Sequence, residues 1–193
     1  MTNEPIVFRF KNLEAPNIIF LDRDGVLNEA VHRGPEVSSP RNIKELKLSG
    51  DISALASHNI LKDWSLVIIT NQPDLSRGLI DLNLVEEINN RIISIVPINE
   101  IYICPHQRTE NCNCRKPKIG LFEQFCSYHL KAKGAKIMVG DSESDLEFSI
   151  KAKIPFILRK RCYNADLRYS CKFVINDLWE IKNLLSDSRI SIF

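Results

Sequence analysis

The sequence has no long apolar run, no internal repeat and no block of charge of one sign. Its 193 residues include 26 basic and 24 acidic side chains, so the formal net charge is only +2. About 20 consecutive apolar residues are needed to span a bilayer, and domains that bind nucleic acid usually carry a strongly basic face. We therefore expect neither a membrane nor a nucleic acid as a partner.

The chain also lacks a linker rich in glycine and serine, and it holds only seven glycines. Its length suits one sizeable domain, so we expect a single domain over 1–193, with an N-terminal extension at 1–16. The N-terminus does not show the basic start and apolar stretch of a secretory signal peptide. We expect a cytoplasmic, reducing location, where clustered cysteines more often bind metal or act in catalysis than form disulfides.

Short apolar runs that end in a polar residue predict buried β-strands. Four runs are interpreted in this way, at 17–22, 65–70, 100–104 and 136–141, and two further candidate strands lie at 155–159 and 173–175. Five stretches are predicted to be helical, at 50–62, 81–96, 118–132, 143–152 and 177–185. Strands alternating with helices predict an α/β fold, a doubly wound parallel sheet with helices on both faces. The alternating segment IVFRF in the N-terminal extension predicts an additional edge strand.

Polar residues stand where several of these strands end. The segment FLDRDGVLN (20–28) places Asp22 and Asp24 two residues apart, while Thr70 and Asp141 end two other strands. An Asp-Gly pair alone is common in solvated turns, but ligands of parallel sheets bind beyond the carboxyl ends of the strands. A carboxylate there can attack phosphorus and form an aspartyl-phosphate. A divalent cation and a lysine would offset the repulsion between carboxylate and phosphate.

Three of the six cysteines and one histidine are concentrated in CPHQRTENCNC, residues 104–114. Three thiolates and one imidazole form a closed set of four ligands that is typical of structural Zn²⁺. The predicted zinc ligands are Cys104, His106, Cys112 and Cys114. The alternative, unligated thiols in a surface loop, is disfavoured because this stretch offers little core to bury them. We expect Cys126 to be a packed core thiol, and Cys162 and Cys171 to be free thiols.

Four segments, in their order along the chain, resemble the motifs of the haloacid dehalogenase superfamily of phosphohydrolases. They are FLDRDGVLN, VIITNQ, CRKPK and VGDSESD. The resemblance covers roughly residues 17–160 and implies the Rossmann-like fold of that superfamily. The stretches between the motifs are too short to hold a large cap domain beside the predicted core elements, so we expect a capless enzyme with an open site.

The resemblance also implies roles for individual residues. Asp22 would be the nucleophile, and Asp24 the general acid and base, provided that its pKa is shifted toward neutrality. Thr70 and Lys116 would hold the phosphoryl group. Mg²⁺ would be bound by Asp22, by the backbone carbonyl of Asp24 and by Asp141.

Asp145, one turn into the helix that follows Asp141, would orient the metal site through a contact with its ligands. A carboxylate in the first turn of a helix is also favoured by the helix dipole alone. The two interpretations are equally compatible with the sequence.

The zinc loop leads directly into Arg115 and Lys116, which resembles the zinc-containing branch of the superfamily. In this branch Arg115 would bind a second phosphate or sugar hydroxyls, although it could be a solvated surface charge. His32 and Arg33, in the loop that follows Asp24, are candidate substrate contacts or simply exposed loop residues. The remaining substrate contacts are assigned to Asn71 and Gln72. In the segment TNQPDLSRG (70–78), Pro-Asp replaces the Ser-Gly that is usual in the heptose bisphosphate phosphatases of this branch.

That branch includes D-glycero-D-manno-heptose 1,7-bisphosphate phosphatases and histidinol-phosphate phosphatases. The resemblance implies a Mg²⁺-dependent enzyme that removes the 7-phosphate of the heptose bisphosphate, a small phosphorylated sugar, for surface-glycan precursors. It also implies a monomer. Histidinol phosphate is the alternative substrate. A non-enzymatic zinc-binding interaction module is the alternative of another class, but it would not need the complete set of predicted catalytic residues.

Overall fold

A seven-stranded mixed sheet forms the centre of the protein. The computed structural model describes residues 4–185. The strands of this sheet are β1 (Ile6–Arg9), β2 (Asn17–Leu21), β5 (Trp64–Asn71), β6 (Glu100–Cys104), β7 (Lys136–Gly140), β8 (Phe156–Arg159) and β9 (Phe173–Ile175). Their spatial order is β1-β6-β5-β2-β7-β8-β9. The last six of these strands pair in parallel, and β1 lies antiparallel to β6 at one edge.

Short helices connect the strands. The α-helices are α1 (His58–Leu61), α2 (Leu82–Ile93), α3 (Gly120–Tyr128), α4 (Glu143–Ala152) and α5 (Ile181–Leu185). The 3₁₀ helices span Ile43–Glu45, Ile52–Ala56, Arg108–Glu110, Cys162–Ser170 and Leu178–Glu180. Two short strands, β3 (Val31–Arg33) and β4 (Glu36–Ser38), form a separate hairpin. Within 4–185, no helix is long and apolar enough to cross a membrane.

The doubly wound α/β sheet predicted from the sequence is confirmed, and so is the edge strand predicted in the N-terminal extension. The predicted helix at 50–62 is wrong, because a 3₁₀ helix and α1 are separated there by the extended backbone of Ser57. Asp51, which could have capped a longer helix, instead accepts hydrogen bonds from Arg159 and from the backbone N–H of Leu178. The predicted helix at 177–185 is confirmed, as a 3₁₀ turn over Leu178–Glu180 that leads directly into α5.

The central strands are buried on both faces, which explains their continuous apolar sequence. In β2, Ile19 and Leu21 pack into the core on one face of the sheet, while Ile18 and Phe20 pack into the core on the other. Helix α2 closes the first of these cores with one apolar stripe, and Asp81 caps its N-terminus by accepting a hydrogen bond from the N–H of Leu84 at 2.9 Å. The stripe consists of Val85, Ile88 and Ile92.

The parallel strands bring their carboxyl ends to one edge of the sheet. Asp22 follows β2, Thr70 is near the end of β5, Cys104 ends β6 and Asp141 follows β7. The β3–β4 hairpin, absent from the sequence-based prediction, follows the Asp24 loop and contributes to the wall of a cavity at this edge. The fold therefore places the predicted site residues around one opening.

Phe125 in α3 tests the packing on one face of the sheet. Its side chain is fully buried, with ring centroids 5.0 Å from Phe20 and 5.9 Å from Tyr102. We expect Phe125→Ala to lower the free energy of unfolding by about 3–5 kcal/mol, because it removes a buried ring and leaves a cavity. Urea denaturation would measure the loss. Leu130→Ala is the control, since Leu130 is 77% exposed and should matter little; equal effects of the two changes would contradict this packing.

Candidate active site and metal centre

An open cavity of about 1070 Å³ lies at the carboxyl ends of the parallel strands. Most of the residues predicted for the site line it. They are Asp22, Asp24, Arg33, Thr70, Asn71, Arg115, Lys116 and Asp141. The β3–β4 hairpin and the 3₁₀ helix Cys162–Ser170 both contribute lining residues.

Lys116 is buried at the floor of this cavity between two carboxylates. Its Nζ lies 3.0 Å from Asp22 Oδ1 and 2.6 Å from Asp145 Oδ1, and it donates a hydrogen bond to the carbonyl of Ile69 at 2.8 Å. Burial works against the charged ammonium, but the two carboxylates outweigh it and raise the pKa of Lys116. The lysine is therefore charged and fixed beside Asp22.

Three carboxylates form a cluster at the same point. Asp22, Asp141 and Asp145 each offer an oxygen atom, and these atoms lie within 4.8 Å of one another. Burial raises the pKa of Asp22 to about 6, with a further increase from Asp145 and Asp24 that Lys116 opposes. Burial also raises the pKa of Asp141, and Asp22 and Asp145 add to this. A hard divalent cation would relieve this repulsion, so the donor set fits a metal such as Mg²⁺.

Asp24 faces a different environment, with four donors around its carboxylate. It accepts hydrogen bonds from Asn28 Nδ2 at 2.8 Å, Gln72 Nε2 at 2.7 Å and Ser39 Oγ at 2.8 Å. Arg23 Nη2 lies 3.1 Å from Asp24 Oδ2. Burial favours the protonated acid, but Arg23 and the three hydrogen bonds together lower the pKa of Asp24. The shift toward neutrality that the acid-base role requires is therefore not produced by these neighbours, because Arg23 and the three other donors stabilise the anion.

Gly25 allows the Asp22–Asp24 loop to approach Asp141. Its φ is +87°, and a Cβ at this position would lie 2.0 Å from Asp141 Oδ2. Tyr163 donates a hydrogen bond to the same carboxylate, and Asn164 Nδ2 donates one to the Asp141 carbonyl at 2.6 Å. Asp141 is thus held by hydrogen bonds from the 3₁₀ helix Cys162–Ser170 and is closely approached by the Gly25 loop.

Thr70, Asn71 and Gln72 are largely engaged with other protein groups. Gln72 is fully buried, and its Nε2 donates to Thr70 Oγ1 at 3.0 Å as well as to Asp24. The Asn71 amide pairs with the main chain of Lys116, donating to its carbonyl at 3.1 Å and accepting its N–H at 3.0 Å. Gln72 therefore lies behind Asp24 rather than on the cavity wall, and Asn71 positions Lys116.

His32 and Arg33, the two candidate substrate contacts in the β3–β4 hairpin, line different cavities. Arg33 lines the cavity, but its guanidinium donates to Ser38 Oγ at 2.9 Å and is paired with Glu45. His32 is exposed and packs edge-to-face on Tyr163, with ring centroids 5.6 Å apart. It lines a neighbouring pocket of about 420 Å³, not the cavity that holds Asp22.

The four predicted zinc ligands meet at the end of β6. The Sγ atoms of Cys104, Cys112 and Cys114 are 3.3–3.6 Å apart, and His106 Nδ1 lies 3.2 Å from Cys114 Sγ and 3.6 Å from Cys104 Sγ. A tetrahedral ion with metal–sulfur bonds of about 2.3 Å would place its sulfur ligands about 3.7 Å apart. The cluster therefore has dimensions that could hold a metal ion.

Within residues 4–185, none of the six cysteines forms a disulfide, which agrees with the free thiols predicted at Cys162 and Cys171, and Cys126 packs against the core from α3, as predicted. The Cys-His loop (104–114) is also connected to its surroundings. Arg115 Nη1 donates to the His106 carbonyl at 3.2 Å, and Ser76 Oγ donates to Glu110 at 2.8 Å. The loop is thus linked both to the segment that carries Lys116 and to the segment after β5.

Sequence reasoning missed several residues that shape the site. Arg23 lies inside the FLDRDGVLN segment, and its place between the two aspartates could have identified it as a partner of Asp24. Ser39 and Tyr163 contact Asp24 and Asp141, but no motif marks them. Their segments reach the cavity only through the β3–β4 hairpin and the 3₁₀ helix after β8, which local sequence patterns did not predict.

Comparisons with known proteins agree with this geometry. The model of the family described as polynucleotide kinase 3 phosphatase matches residues 17–163. The chain is 34% identical over 142 residues to the D-glycero-beta-D-manno-heptose-1,7-bisphosphate 7-phosphatase of Helicobacter pylori, covering 70% of this chain and 78% of that protein. It is 32% identical over 137 residues to a histidine biosynthesis bifunctional protein of Campylobacter jejuni, covering 67% of this chain but only 37% of that protein.

Among solved structures, the D,D-heptose 1,7-bisphosphate phosphatase of Bordetella bronchiseptica, complexed with magnesium and phosphate, superimposes with a TM-score of 0.73. The sequence identity is 25%, and the match covers 88% of this chain and 97% of that chain. A haloacid dehalogenase-superfamily hydrolase of Geobacter sulfurreducens shares the fold with a TM-score of 0.53 at 14% identity. These findings confirm the resemblance seen in the four motifs: the chain belongs to the polynucleotide kinase 3 phosphatase family and is a phosphatase with the haloacid dehalogenase-like fold.

Proposed function

We propose that the chain, as a single domain without a large cap, removes the 7-phosphate of D-glycero-D-manno-heptose 1,7-bisphosphate in a Mg²⁺-dependent reaction of heptose biosynthesis. The observation that carries the proposal is the burial of Lys116 between Asp22 and Asp145 at the floor of the cavity, beside Asp24 and Thr70. The heptose bisphosphate phosphatases among its relatives support the choice of substrate.

Asp22 is the proposed nucleophile. Its carboxylate forms a bond to phosphorus while the bond between phosphorus and the sugar oxygen breaks, which leaves the phosphoryl group on Asp22. Lys116 offsets negative charge on the phosphoryl oxygens from its fixed position 3.0 Å away from Asp22. Thr70 Oγ1 already accepts a hydrogen bond from Gln72, so its own hydroxyl proton is available for a phosphoryl oxygen.

Asp24 is the proposed general acid and base. It would give a proton to the departing sugar oxygen and then take one from the water that attacks the aspartyl-phosphate. The neighbouring groups of the protein lower the pKa of Asp24. We propose that the negative charge of the bound phosphate raises this pKa again, so that Asp24 can carry a proton. Ser39 is suited to this change, because its hydroxyl can donate to the carboxylate and can accept from the carboxylic acid.

The proposed ligands of Mg²⁺ are Asp22, Asp141 and the backbone carbonyl of Asp24. When bound, the ion would supply positive charge that offsets both the carboxylates and the substrate phosphate. Asp145 is engaged by Lys116 and by the N–H and hydroxyl of Ser142 at the start of α4. We therefore propose that Asp145 holds Lys116 in place while its other carboxylate oxygen caps the N-terminus of α4.

The Cys-His cluster is the proposed site of a structural Zn²⁺. Its ligands occupy all four positions of a tetrahedral ion, so no water is bound there for chemistry. Cys114 is followed directly by Arg115 and Lys116, so an ordered cluster limits where these two side chains can lie. Arg115 is proposed to contact the sugar or its second phosphate.

The charge of the cavity wall favours a bisphosphate over histidinol phosphate. Arg77, Arg108 and Arg115 all line the cavity. Burial, together with repulsion from Arg108 and Arg77, lowers the pKa of Arg115. A second phosphate would be attracted to this group, whereas the ammonium group of histidinol phosphate would be repelled.

The alternative of a non-enzymatic zinc-binding module is disfavoured because such a module needs no cluster of buried carboxylates and lysine. We also propose that the protein acts as a monomer in the cytoplasm. A reducing compartment would keep the three thiols of the zinc site available for metal.

A substrate panel tests the proposed function. We expect phosphate release from the heptose 1,7-bisphosphate to have a kcat/KM at least tenfold above that from histidinol phosphate, a difference of about 1.4 kcal/mol. Release should stop when Mg²⁺ is withheld and return when it is added. A preference for histidinol phosphate would overturn the substrate, and a lack of Mg²⁺-dependent release from any phosphate ester would overturn the enzyme class.

The nucleophile is tested by Asp22→Asn. We expect phosphate release to fall to background, because an amide cannot form the aspartyl-phosphate, while the circular dichroism spectrum is retained. Asp63→Asn is the matched control, since Asp63 is an exposed aspartate in an ion pair with Lys62. Turnover by the Asp22 variant would show that another group attacks phosphorus.

Zinc is tested by elemental analysis of protein purified without chelator. We expect one zinc per chain, and we expect Cys112→Ser to reduce both zinc content and thermal stability, because a structural zinc site can contribute on the order of 10 kcal/mol of apparent folding free energy. Cys126→Ser is the control, since this thiol packs on the core but is not one of the four residues grouped in the cluster. Equal zinc content and stability in the two variants would contradict the site.

A further inference from the structure

Asp74 is a buried carboxylate to which the proposed reaction gives no role. It lies in the loop after β5, where Pro-Asp replaces the Ser-Gly of the resembling enzymes, and only 3% of its surface is exposed. Each of its oxygens is paired with a different arginine. Arg41 Nε lies 2.8 Å from Oδ2, and Arg77 Nη1 lies 3.0 Å from Oδ1. A buried carboxylate with two cationic partners holds both of them in defined positions.

The loop that carries Asp74 is itself well ordered by hydrogen bonds. The Asp74 carbonyl accepts the N–H groups of Leu79 at 2.9 Å and Ile80 at 3.3 Å, and the Pro73 carbonyl accepts the N–H of Arg77 at 3.1 Å. Pro73 also has a restricted φ. Asp74 is therefore a rigid point of attachment for Arg41, which comes from a different segment, after the β3–β4 hairpin.

The two arginines face the cavity that holds Asp22. Both line it, and their side chains are 33% and 46% exposed. A guanidinium has five N–H donors, and the ion pair with Asp74 occupies only one nitrogen of each. One carboxylate between two guanidinium groups leaves one net positive charge. Glu36 and Glu45 also act on Arg41 electrostatically, but they rank below Asp74 in their effect.

This positive charge continues along the cavity wall through Arg77. Arg108 and Arg115 line the same wall, and repulsion from Arg77 and Arg108 acts on Arg115. Like charges placed together on a cavity wall are destabilising unless a ligand of opposite sign binds between them. The arrangement thus has the chemistry of a receptor for an anionic group.

We propose that Asp74 is a positioning residue that holds Arg41 and Arg77 at the mouth of the cavity, where their free guanidinium edges bind a second phosphate group of the substrate. This phosphate is remote from the phosphoryl group that Asp22 attacks. The inference rests on the proposed phosphatase function and deepens it, since it assigns the selection of a bisphosphate over a monophosphate to a residue pair that Asp74 orders in advance.

The test compares the heptose 1,7-bisphosphate with the heptose 7-phosphate, which lacks the second phosphate. The measured quantity is the ratio of kcat/KM for the two substrates. We expect Asp74→Asn and Arg41→Ala each to reduce this ratio about tenfold, mainly through a higher KM for the bisphosphate, because the second phosphate loses an ordered partner. Asp74→Glu should restore part of the ratio. Arg91→Ala, which breaks the exposed pair with Glu87 on α2, should leave both substrates unchanged.

A purely structural role of Asp74 would lower kcat/KM for both substrates equally, and this result would overturn the inference. Arg41→Ala keeps the test valid if Asp74→Asn does not fold, because Arg41 is partly exposed and its truncation leaves no large cavity. An unchanged ratio in Arg41→Ala would equally overturn the inference.

Direct binding separates this inference from the proposed reaction. The Asp22→Asn variant can be titrated calorimetrically with both heptose phosphates, with no hydrolysis needed. We expect it to bind the bisphosphate about tenfold more tightly, and we expect Asp74→Asn in the same background to remove that difference. If the bisphosphate binds no more tightly than the monophosphate, the paired arginine site is wrong even where the wild-type protein is an active phosphatase. If the bisphosphate binds more tightly but the wild-type protein shows no turnover, the proposed reaction is wrong and the paired arginine site is supported.

Discussion

The ion cluster of Lys116 with Asp22 and Asp145 is the interaction on which the site depends. A single charge buried at this depth would be strongly unfavourable, and removing one partner of a buried pair typically costs about 3–5 kcal/mol. The three side chains come from three different places: the end of β2, the segment after the Cys-His cluster and the first turn of α4. Because each of these buried charges must be compensated by the others, the ion cluster links three distant segments at the carboxyl ends of the parallel strands.

The two aspartates of the FLDRDGVLN segment also differ in how their charges are compensated. Burial and the neighbouring carboxylates raise the pKa of Asp22, whereas Arg23 and the hydrogen-bond donors around Asp24 lower the pKa of Asp24. Two carboxyl groups two residues apart thus obtain opposite environments, as the proposed separate roles of nucleophile and acid-base catalyst require. Arg23 contributes to this difference, because its buried guanidinium faces Asp24 and also donates to Gln72 Oε1 at 2.7 Å.

Beyond the buried ion cluster, the proposed specificity depends on how cationic side chains are held at the wall of an open cavity. The Cys-His loop (104–114) contacts Arg115 through the carbonyl of His106, and Asp74 pairs with Arg41 and Arg77. Long arginine side chains lose considerable conformational entropy when they bind a ligand, so fixing them beforehand reduces the cost of recognition. In the proposed reaction of a protein with no large cap, such ordered side chains would take over part of the substrate selection.

The sequence by itself determined the buried strands, the polar residues at their ends and the four ligands of the Cys-His cluster, because these depend on local periodicity and spacing. The parallel sheet then had to bring Asp22, Thr70 and Asp141 to one edge. Only the tertiary structure decided which partners each side chain obtains. The donors around Asp24, the contact of Tyr163 with Asp141 and the pairing of Asp74 with two arginines all join segments that are unrelated in local pattern. Charge compensation in a buried site is a property of three-dimensional distances, which spacing along the chain does not specify.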